Sequence, residues 1–228
     1  MIKAVFFDWM NTLTHAEPDR HEQFCRAAQE LGIELSPRGA IRGICAAASQ
    51  VPAGAPPRWR EGEDEEPFIR FQEIVLAEAG VELPRDMVLK MLRKVARIAR
   101  KETYVLYDDV LPALKTLKKR GLILGLITSL TRDMNLISSD LGLAPYLDFV
   151  VTSREVGADK PAPPIFLAAL ERAGVAASEA VYVGDQYETD VVGARGVGIK
   201  PILIDRYDLV PEVSDCPRIH SLSEVDYI

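Results

Sequence analysis

The sequence predicts an α/β fold, in which a doubly wound, Rossmann-like parallel sheet carries an inserted α-helical domain. The first observation is a set of short apolar runs that lack polar alternation and end at turn residues, as strands buried on both faces do. The second is the helical periodicity of the segments that separate the later runs. The predicted strands lie at 2–7, 122–127, 147–151, 180–183 and 201–204.

The segments between these later strands predict one helix each, at 110–120, 132–141, 164–173 and 189–195. Strand and helix alternate along this part of the chain, which is the order that builds a parallel sheet with helices on both faces. The sequence therefore predicts that residues 1–14 and 104–228 form one α/β core domain.

Residues 15–103 break this rhythm, because no second strand is predicted for over a hundred residues after the first one. Helices are expected instead at 19–31, 37–48, 67–79 and 84–101. Between the second and third of them, 51–67 combines several prolines with an acidic run, which predicts an exposed loop. This pattern indicates a helical domain inserted at 15–103.

Composition narrows the class of protein. The chain has 228 residues, of which 48% are hydrophobic and 27% charged, values typical of soluble globular domains. No apolar run reaches the length of a membrane span and the N-terminus has no secretion leader, so we expect a cytoplasmic protein without a membrane partner. The formal charge of −7 disfavours nucleic acid as a partner. This charge is compatible with a small phosphorylated ligand. The sequence does not predict the oligomeric state.

The three cysteines, Cys25, Cys45 and Cys216, show no CxxC spacing. This predicts buried free thiols rather than a zinc site or a disulfide framework.

Polar side chains that can do chemistry follow four of the predicted strands: Asp8, Thr128 with Ser129, Lys160, and Asp185 with Asp190. Each has an ordinary explanation alone, as a turn former, a helix cap or a surface amine. Together they supply a nucleophilic carboxylate, a hydroxyl, a cation and hard-metal ligands. The carboxyl ends of parallel strands meet at one edge of a sheet, so we expect these groups to converge.

Asp8 and Asp185, placed side by side, would repel each other by about 4 kcal/mol at 4 Å and an effective dielectric of 20. A positive group between them would remove this repulsion. Mg²⁺ fits, because it prefers oxygen ligands and binds one or two carboxylates together with a substrate phosphate. The sequence thus predicts a magnesium site that faces a phosphorylated small molecule.

Four motifs occur in order along the chain. They are Asp8-x-x-x-Thr12-Leu13, the apolar strand that ends in Thr128, Glu155-Val156-Gly157-x-x-Lys160-Pro161, and Val183-Gly184-Asp185-x-x-x-x-Asp190. In this order and spacing they resemble the motifs of the haloacid dehalogenase superfamily, and the insertion resembles the helical cap of its first class. The resemblance covers most of the chain outside the insertion.

The resemblance implies a role for each matched residue. Asp8 would attack phosphorus to give an aspartyl-phosphate, while Thr128, Ser129 and Lys160 would hold the phosphoryl oxygens. Asp185 would bind Mg²⁺ together with Asp8.

The remaining implied roles are supporting ones. Asp190 would bind a metal-bound water or orient Lys160, and the Met10 backbone carbonyl would be a further metal ligand. Thr12 would fix the loop by hydrogen bonding and contact the substrate. Asn11 stands where the family often has glycine, and asparagine tolerates a left-handed backbone well.

Met10 is the departure from the pattern. Phosphatases of this family usually have a second aspartate there, which protonates the leaving oxygen and later activates water. A thioether can do neither. General acid/base catalysis contributes about 10²–10⁴ in rate, so efficient phosphatase action is in question. His15 is an alternative proton donor, because its ordinary pKa suits neutral pH.

Three alternatives stay open. A 2-haloacid dehalogenase also lacks the second aspartate, but its fourth motif is not expected to carry both Asp185 and Asp190. A phosphonoacetaldehyde hydrolase requires a cap lysine, for which the insertion offers Lys90, Lys94 and Lys101. A phosphoryl-ligand binding protein with weakened turnover is the third.

Overall fold

In the computed structural model, residues 1–50, 59, 64–130, 133–208 and 213–227 are described. They divide into two compact units, one formed by Met1–His15 with Val105–Ile228 and the other by Ala16–Tyr104. The strands are β1 (Ala4–Phe7), β2 (Thr14–Glu17), β3 (Thr103–Leu106), β4 (Ile123–Thr128), β5 (Phe149–Thr152), β6 (Ala180–Gly184), β7 (Lys200–Ile204) and β8 (Arg218–Ile219). The α-helices are α1 (Arg20–Gln29), α2 (Pro37–Ser49), α3 (Glu66–Glu78), α4 (Arg85–Ala99), α5 (Val110–Lys119), α6 (Met134–Asp140), α7 (Ser153–Val156), α8 (Pro163–Ala173) and α9 (Val192–Gly196).

The first unit is built on a six-stranded sheet with the order β5-β4-β1-β6-β7-β8. All of its pairings are parallel, and Phe7 at the end of β1 lies opposite Leu126 of β4 and Val183 of β6. The prediction of a doubly wound parallel sheet is therefore confirmed. From β1 the strand order runs outward in both directions, so the ends of β1, β4 and β6 meet at the switch point.

The central strands are held by apolar packing on the sheet faces. Phe6, Ile127 and Tyr182 are fully buried and belong to one core with Phe166 of α8. Gly125 in β4 is needed for this packing, because a Cβ there would lie 2.4 Å from the Phe149 ring. The strand ends therefore lie next to a closely packed core.

The second unit contains the helices α1 to α4, so the prediction that the inserted domain is α-helical is confirmed. Its core includes Phe24, Phe71 and Met91. Helices α2 and α3 pack closely at Gly43, where a Cβ would come within 2.3 Å of the Val75 carbonyl oxygen. Most of the loop predicted at 51–67 lies outside the described residues.

Strands β2 and β3 pair in a separate two-stranded sheet that was not predicted. The expectation that no strand follows β1 for over a hundred residues was therefore wrong. β2 has the sequence Thr-His-Ala-Glu, which is too short and too polar to stand out as a buried strand. Its partner β3 lies almost ninety residues away, a pairing that local patterns cannot predict.

The helix predicted at 189–195 begins as a different structure. Tyr187–Val191 forms a π-helix, and α9 follows it directly. Short π-helices are rare and often occur at functional sites.

Cys45 is exposed, whereas Cys25 and Cys216 are partly exposed. The prediction that the thiols are buried was therefore wrong. Within the described residues, no helix combines the length and the hydropathy needed to cross a bilayer.

Candidate active site

Lys160 connects the ends of β1 and β6. Its Nζ donates hydrogen bonds to Asp8 Oδ1 at 2.5 Å, Asp190 Oδ1 at 2.7 Å and the Tyr182 hydroxyl at 2.9 Å. The three N–H groups of the ammonium are thus matched by three acceptors. Lys160 and Asp190 are 4% and 1% exposed, so both charges of this ion pair are removed from water. Such a buried pair fixes the position of Lys160 beside Asp8.

Tyr182 is a member of this network that sequence reasoning missed. Its hydroxyl accepts from Lys160 and donates to Asp190 Oδ1 at 2.9 Å, while its ring makes an edge contact with Phe166. The residue could have been found in the sequence, because a buried tyrosine usually finds a hydrogen-bond partner and this one lies inside an otherwise apolar strand. Tyr182 therefore supports the lysine from within the sheet.

The loop after Asp8 is a tight turn. The Asp8 amide donates to the Val183 carbonyl at 2.9 Å, and the amides of Leu13 and Thr14 both donate to the Trp9 carbonyl at 3.0 Å. Met10 lies within the turn and is partly exposed. These hydrogen bonds fix the backbone of the residues that follow Asp8.

Thr12 contributes to this loop through its backbone. Its carbonyl accepts from the Arg206 guanidinium at 2.6 Å, and that guanidinium stacks on the Tyr107 ring and pairs with Asp109. The Thr12 hydroxyl is buried without a hydrogen-bond partner among the described residues. The expected anchoring of the loop thus involves the Thr12 carbonyl in this structure.

Thr128 and Ser129 lie at the end of β4, beside β1. The Thr128 side chain is buried, and its hydroxyl accepts from the Leu130 amide at 3.2 Å. The Ser129 hydroxyl is buried and has no hydrogen-bond partner among the residues described, while its carbonyl accepts from Ser153 Oγ. Both side chains therefore stand at the same sheet edge as Asp8.

Asp8, Asp185 and Asp190 each offer a carboxylate oxygen within 4.8 Å of the others. Asn11 donates to Asp185 Oδ2 at 3.0 Å from a left-handed backbone with φ 57°. The other oxygen, Asp185 Oδ1, is buried and lacks a hydrogen-bond partner within the described part of the chain. Converging carboxylates with an unpaired buried oxygen suit a hard divalent cation such as Mg²⁺.

The pKa shifts in this cluster also favour a bound cation. Burial raises the pKa of Asp8 to about 6, against the lowering effect of Lys160 and with a further increase from Asp190. Burial, then the charges of Asp8 and Asp190, raise the pKa of Asp185 well above its ordinary value. For Lys160, burial acts to lower the pKa, but Asp190 and Asp8 hold it above the ordinary value. A bound divalent cation would stabilise the carboxylates in their charged form.

A first prediction concerns the stability of the metal-free protein. The folded-state pKa of Asp185 lies above its unfolded value, near 3.9, so the folded protein holds that proton more tightly. Stability is therefore lost as pH rises from about 4. Asp185→Asn does not titrate and should melt at least about 2 °C above wild type at pH 7, the shift that about 1 kcal/mol gives in a chain of this length. The difference should shrink toward pH 4.

Thermal melts in the presence of a chelator at both pH values measure this difference. Asp140→Asn, which changes an exposed carboxylate of α6, is the control and should melt like wild type. A lower melting temperature for Asp185→Asn than for wild type at pH 7 would show that the carboxylate is not under electrostatic strain.

Comparison with known proteins places the chain in a family. The model for haloacid dehalogenase-like hydrolases matches residues 2–198. The chain therefore belongs to the haloacid dehalogenase-like hydrolases, and the resemblance seen in the four motifs is confirmed. It is accordingly a member of an enzyme family.

Among its relatives is the haloacid dehalogenase-like hydrolase domain-containing protein 3 of Danio rerio, 31% identical over 99% of this chain and 94% of that protein. The ribulose-1,5-bisphosphate 5-phosphatase of Halopiger xanaduensis is 32% identical over 90% of this chain and 85% of its own length. A crystal structure of a phosphatase of the family from Thermococcus onnurineus matches with a TM-score of 0.59 and 27% identity. That match covers 99% of this chain and 97% of the other.

Proposed function

We propose that the chain is a magnesium-dependent phosphatase that hydrolyses a small phosphate ester through an aspartyl-phosphate at Asp8. The observation that carries the proposal is the buried contact of Lys160 with Asp8 and Asp190, with Asp185 in reach of both carboxylates. Relatives named as phosphatases support a phosphate ester as the substrate class.

Asp8 is the nucleophile of the proposed reaction. One of its carboxylate oxygens attacks phosphorus, the bond from phosphorus to the leaving oxygen breaks, and the phosphoryl group is transferred to Asp8. Water then attacks the acyl phosphate, which releases inorganic phosphate and restores the carboxylate. Covalent catalysis divides one hard displacement into two easier steps.

Lys160 and the end of β4 bind the group that is transferred. Negative charge spreads over the equatorial phosphoryl oxygens in the transition state, and the Lys160 ammonium lies where it can neutralise part of that charge. The hydroxyls of Thr128 and Ser129 supply donors from the neighbouring strand, and Thr12 lies on the loop that follows Asp8. Asp190 and Tyr182 hold Lys160 in place through their hydrogen bonds to its ammonium.

The residues that would hold Mg²⁺ are Asp8, Asp185, the Met10 carbonyl and, through a water molecule, Asp190. When bound, the ion supplies positive charge that offsets the repulsion between carboxylates and phosphate and polarises the phosphoryl oxygens. We further propose that residues 15–103 act as the cap domain that selects the substrate.

The leaving oxygen needs a proton, and position 10 does not supply a donor for it. Met10 cannot donate a proton, so the leaving group would take one from water or from another side chain. The His15 ring packs against Tyr107 at 5.0 Å between ring centroids, within the first unit. We therefore expect substrates whose leaving group needs little protonation to react best.

The alternatives have less support. An imine-forming lysine is typically desolvated in an apolar pocket. Lys90 and Lys101 are exposed and Lys94 is partly exposed, and Lys90 and Lys94 pair with Asp86 and Glu30. A dehalogenase has no need for three converging carboxylates, which in the absence of a metal ion would outnumber the single charge of Lys160 and repel the 2-haloacid anion. Neither argument depends on the relatives.

Metal dependence is the direct test of the magnesium proposal. With an activated aryl phosphate, we expect slow turnover in the presence of Mg²⁺ and loss of turnover on chelation, restored when Mg²⁺ is added back. The same assay, extended to alkyl phosphates, phosphonates and 2-haloacids, compares the alternatives. Turnover that is insensitive to chelation would contradict the metal role, and release of halide with no release of phosphate would favour a dehalogenase.

A further inference from the structure

Asn11 occupies a backbone position at which a side chain is unfavourable. Its φ of 57° is in the left-handed region, where glycine is free of strain and other residues are not. Asparagine is among the few residues that enter this region readily. A side chain at such a position is notable when it makes a specific contact, and this one does.

The contact of Asn11 is with one oxygen of Asp185. The Asn11 Nδ2 group donates to Oδ2 at 3.0 Å, from a residue 174 positions away in the chain. Oδ1, the second oxygen, is buried and has no hydrogen-bond partner among the described residues. The amide therefore favours one rotation of the carboxylate and leaves Oδ1 as the oxygen without a hydrogen-bond partner in the described part of the chain.

A carboxylate restricted in this way discriminates between cations. Mg²⁺ demands octahedral geometry at 2.0–2.1 Å and is well served by single carboxylate oxygens. Ca²⁺ takes about 6–8 oxygens at longer distances and readily binds both oxygens of one carboxylate. With one lone pair of Oδ2 taken by Asn11, Asp185 offers Oδ1 as a single-oxygen ligand, which suits the smaller ion. Binding of the larger ion through both oxygens would compete with the Asn11 hydrogen bond.

From this geometry we infer that Asn11 is a positioning residue that sets the preference of the site for Mg²⁺ over Ca²⁺ by keeping Asp185 a single-oxygen ligand. The inference rests on the proposed metal role of Asp8 and Asp185, and goes beyond it by naming the residue that selects the ion. Removal of the amide frees Asp185 to turn and present both oxygens.

Asn11→Gly is the variant that isolates this effect. Glycine accepts the left-handed backbone without strain, so we expect the fold to be kept, and the net charge is unchanged because asparagine is neutral. Outer partners of metal ligands typically change metal affinity by about 10–100-fold. We expect Asn11→Gly to weaken Mg²⁺ binding and to affect Ca²⁺ binding less, so that the ratio of the Ca²⁺ to the Mg²⁺ dissociation constant falls by about tenfold.

Titration calorimetry of the metal-free protein with Mg²⁺ and with Ca²⁺ measures both constants without an activity assay. A thermal melt of the metal-free variant checks its fold, and Asn135→Ala, a change at an exposed asparagine of α6, is the control that should keep the wild-type ratio. An unchanged ratio in Asn11→Gly, including equal weakening of both ions, would overturn the inference while leaving the metal site intact. Absence of binding by either ion to the wild-type protein would overturn the proposed metal role itself, and the inference with it.

Discussion

Asp8→Asn is expected to lower turnover of an activated aryl phosphate by about a thousandfold or more, which corresponds to about 4 kcal/mol of lost transition-state stabilisation. An amide has the shape of the carboxylate but is a poor nucleophile, so the covalent step fails. The fold should persist, because Asp8 follows β1 and takes no part in its apolar packing. Lys160 keeps Asp190 as its charged partner.

The measurement is kcat with saturating Mg²⁺, together with a thermal melt of each protein. Asp140→Asn makes the same chemical change at an exposed position and should retain full turnover. Turnover near the wild-type level in a folded Asp8→Asn protein would show that another residue is the nucleophile.

Met10→Asp is expected to raise turnover of phosphate esters with poor alkoxide leaving groups by about tenfold or more. The new carboxyl would supply the general acid and base that the site lacks, an effect worth about 10²–10⁴ when it is fully positioned. Aryl esters should gain less, because a phenolate-like group leaves readily without a proton. Halide substrates should not gain at all.

Met10→Asn is the matched control, since its side chain has the size of aspartate but cannot exchange a proton in the neutral range. The comparison is made with alkyl and aryl esters at saturating Mg²⁺, where a change in metal affinity no longer affects kcat. Equal rates for the two variants on alkyl esters, in folded protein that binds Mg²⁺, would mean either that another group such as His15 supplies the proton or that the phosphatase proposal is wrong.

The fold could be predicted from the sequence wherever apolar burial decides the structure. β1, β4 and β6 are buried along almost their full length, so their residues form continuous apolar runs. β2 and β3 are partly exposed and pair across almost ninety residues, which leaves no local pattern. The π-helix at Tyr187–Val191 depends on a hydrogen-bond register that composition does not encode.

The candidate site was predictable to the extent that strand ends converge in any parallel sheet. This rule predicts that Asp8, Lys160 and the acidic fourth motif lie close together. The sequence could not predict the hydrogen-bond partners of these side chains. The hydrogen bonds of Tyr182 to Lys160 and of Asn11 to Asp185 depend on side-chain directions that only the folded chain defines.

The central claim is that phosphoryl transfer proceeds through Asp8, and trapping of the acyl phosphate tests it most directly. The protein is mixed with an aryl phosphate and Mg²⁺, quenched during turnover and treated with borohydride, which reduces an acyl phosphate to an alcohol. Mass spectrometry of the peptide that contains residue 8 should then find homoserine in place of Asp8, and none when substrate is omitted. Unmodified Asp8 during active turnover, or a reduced residue elsewhere in the chain, would contradict the proposed mechanism.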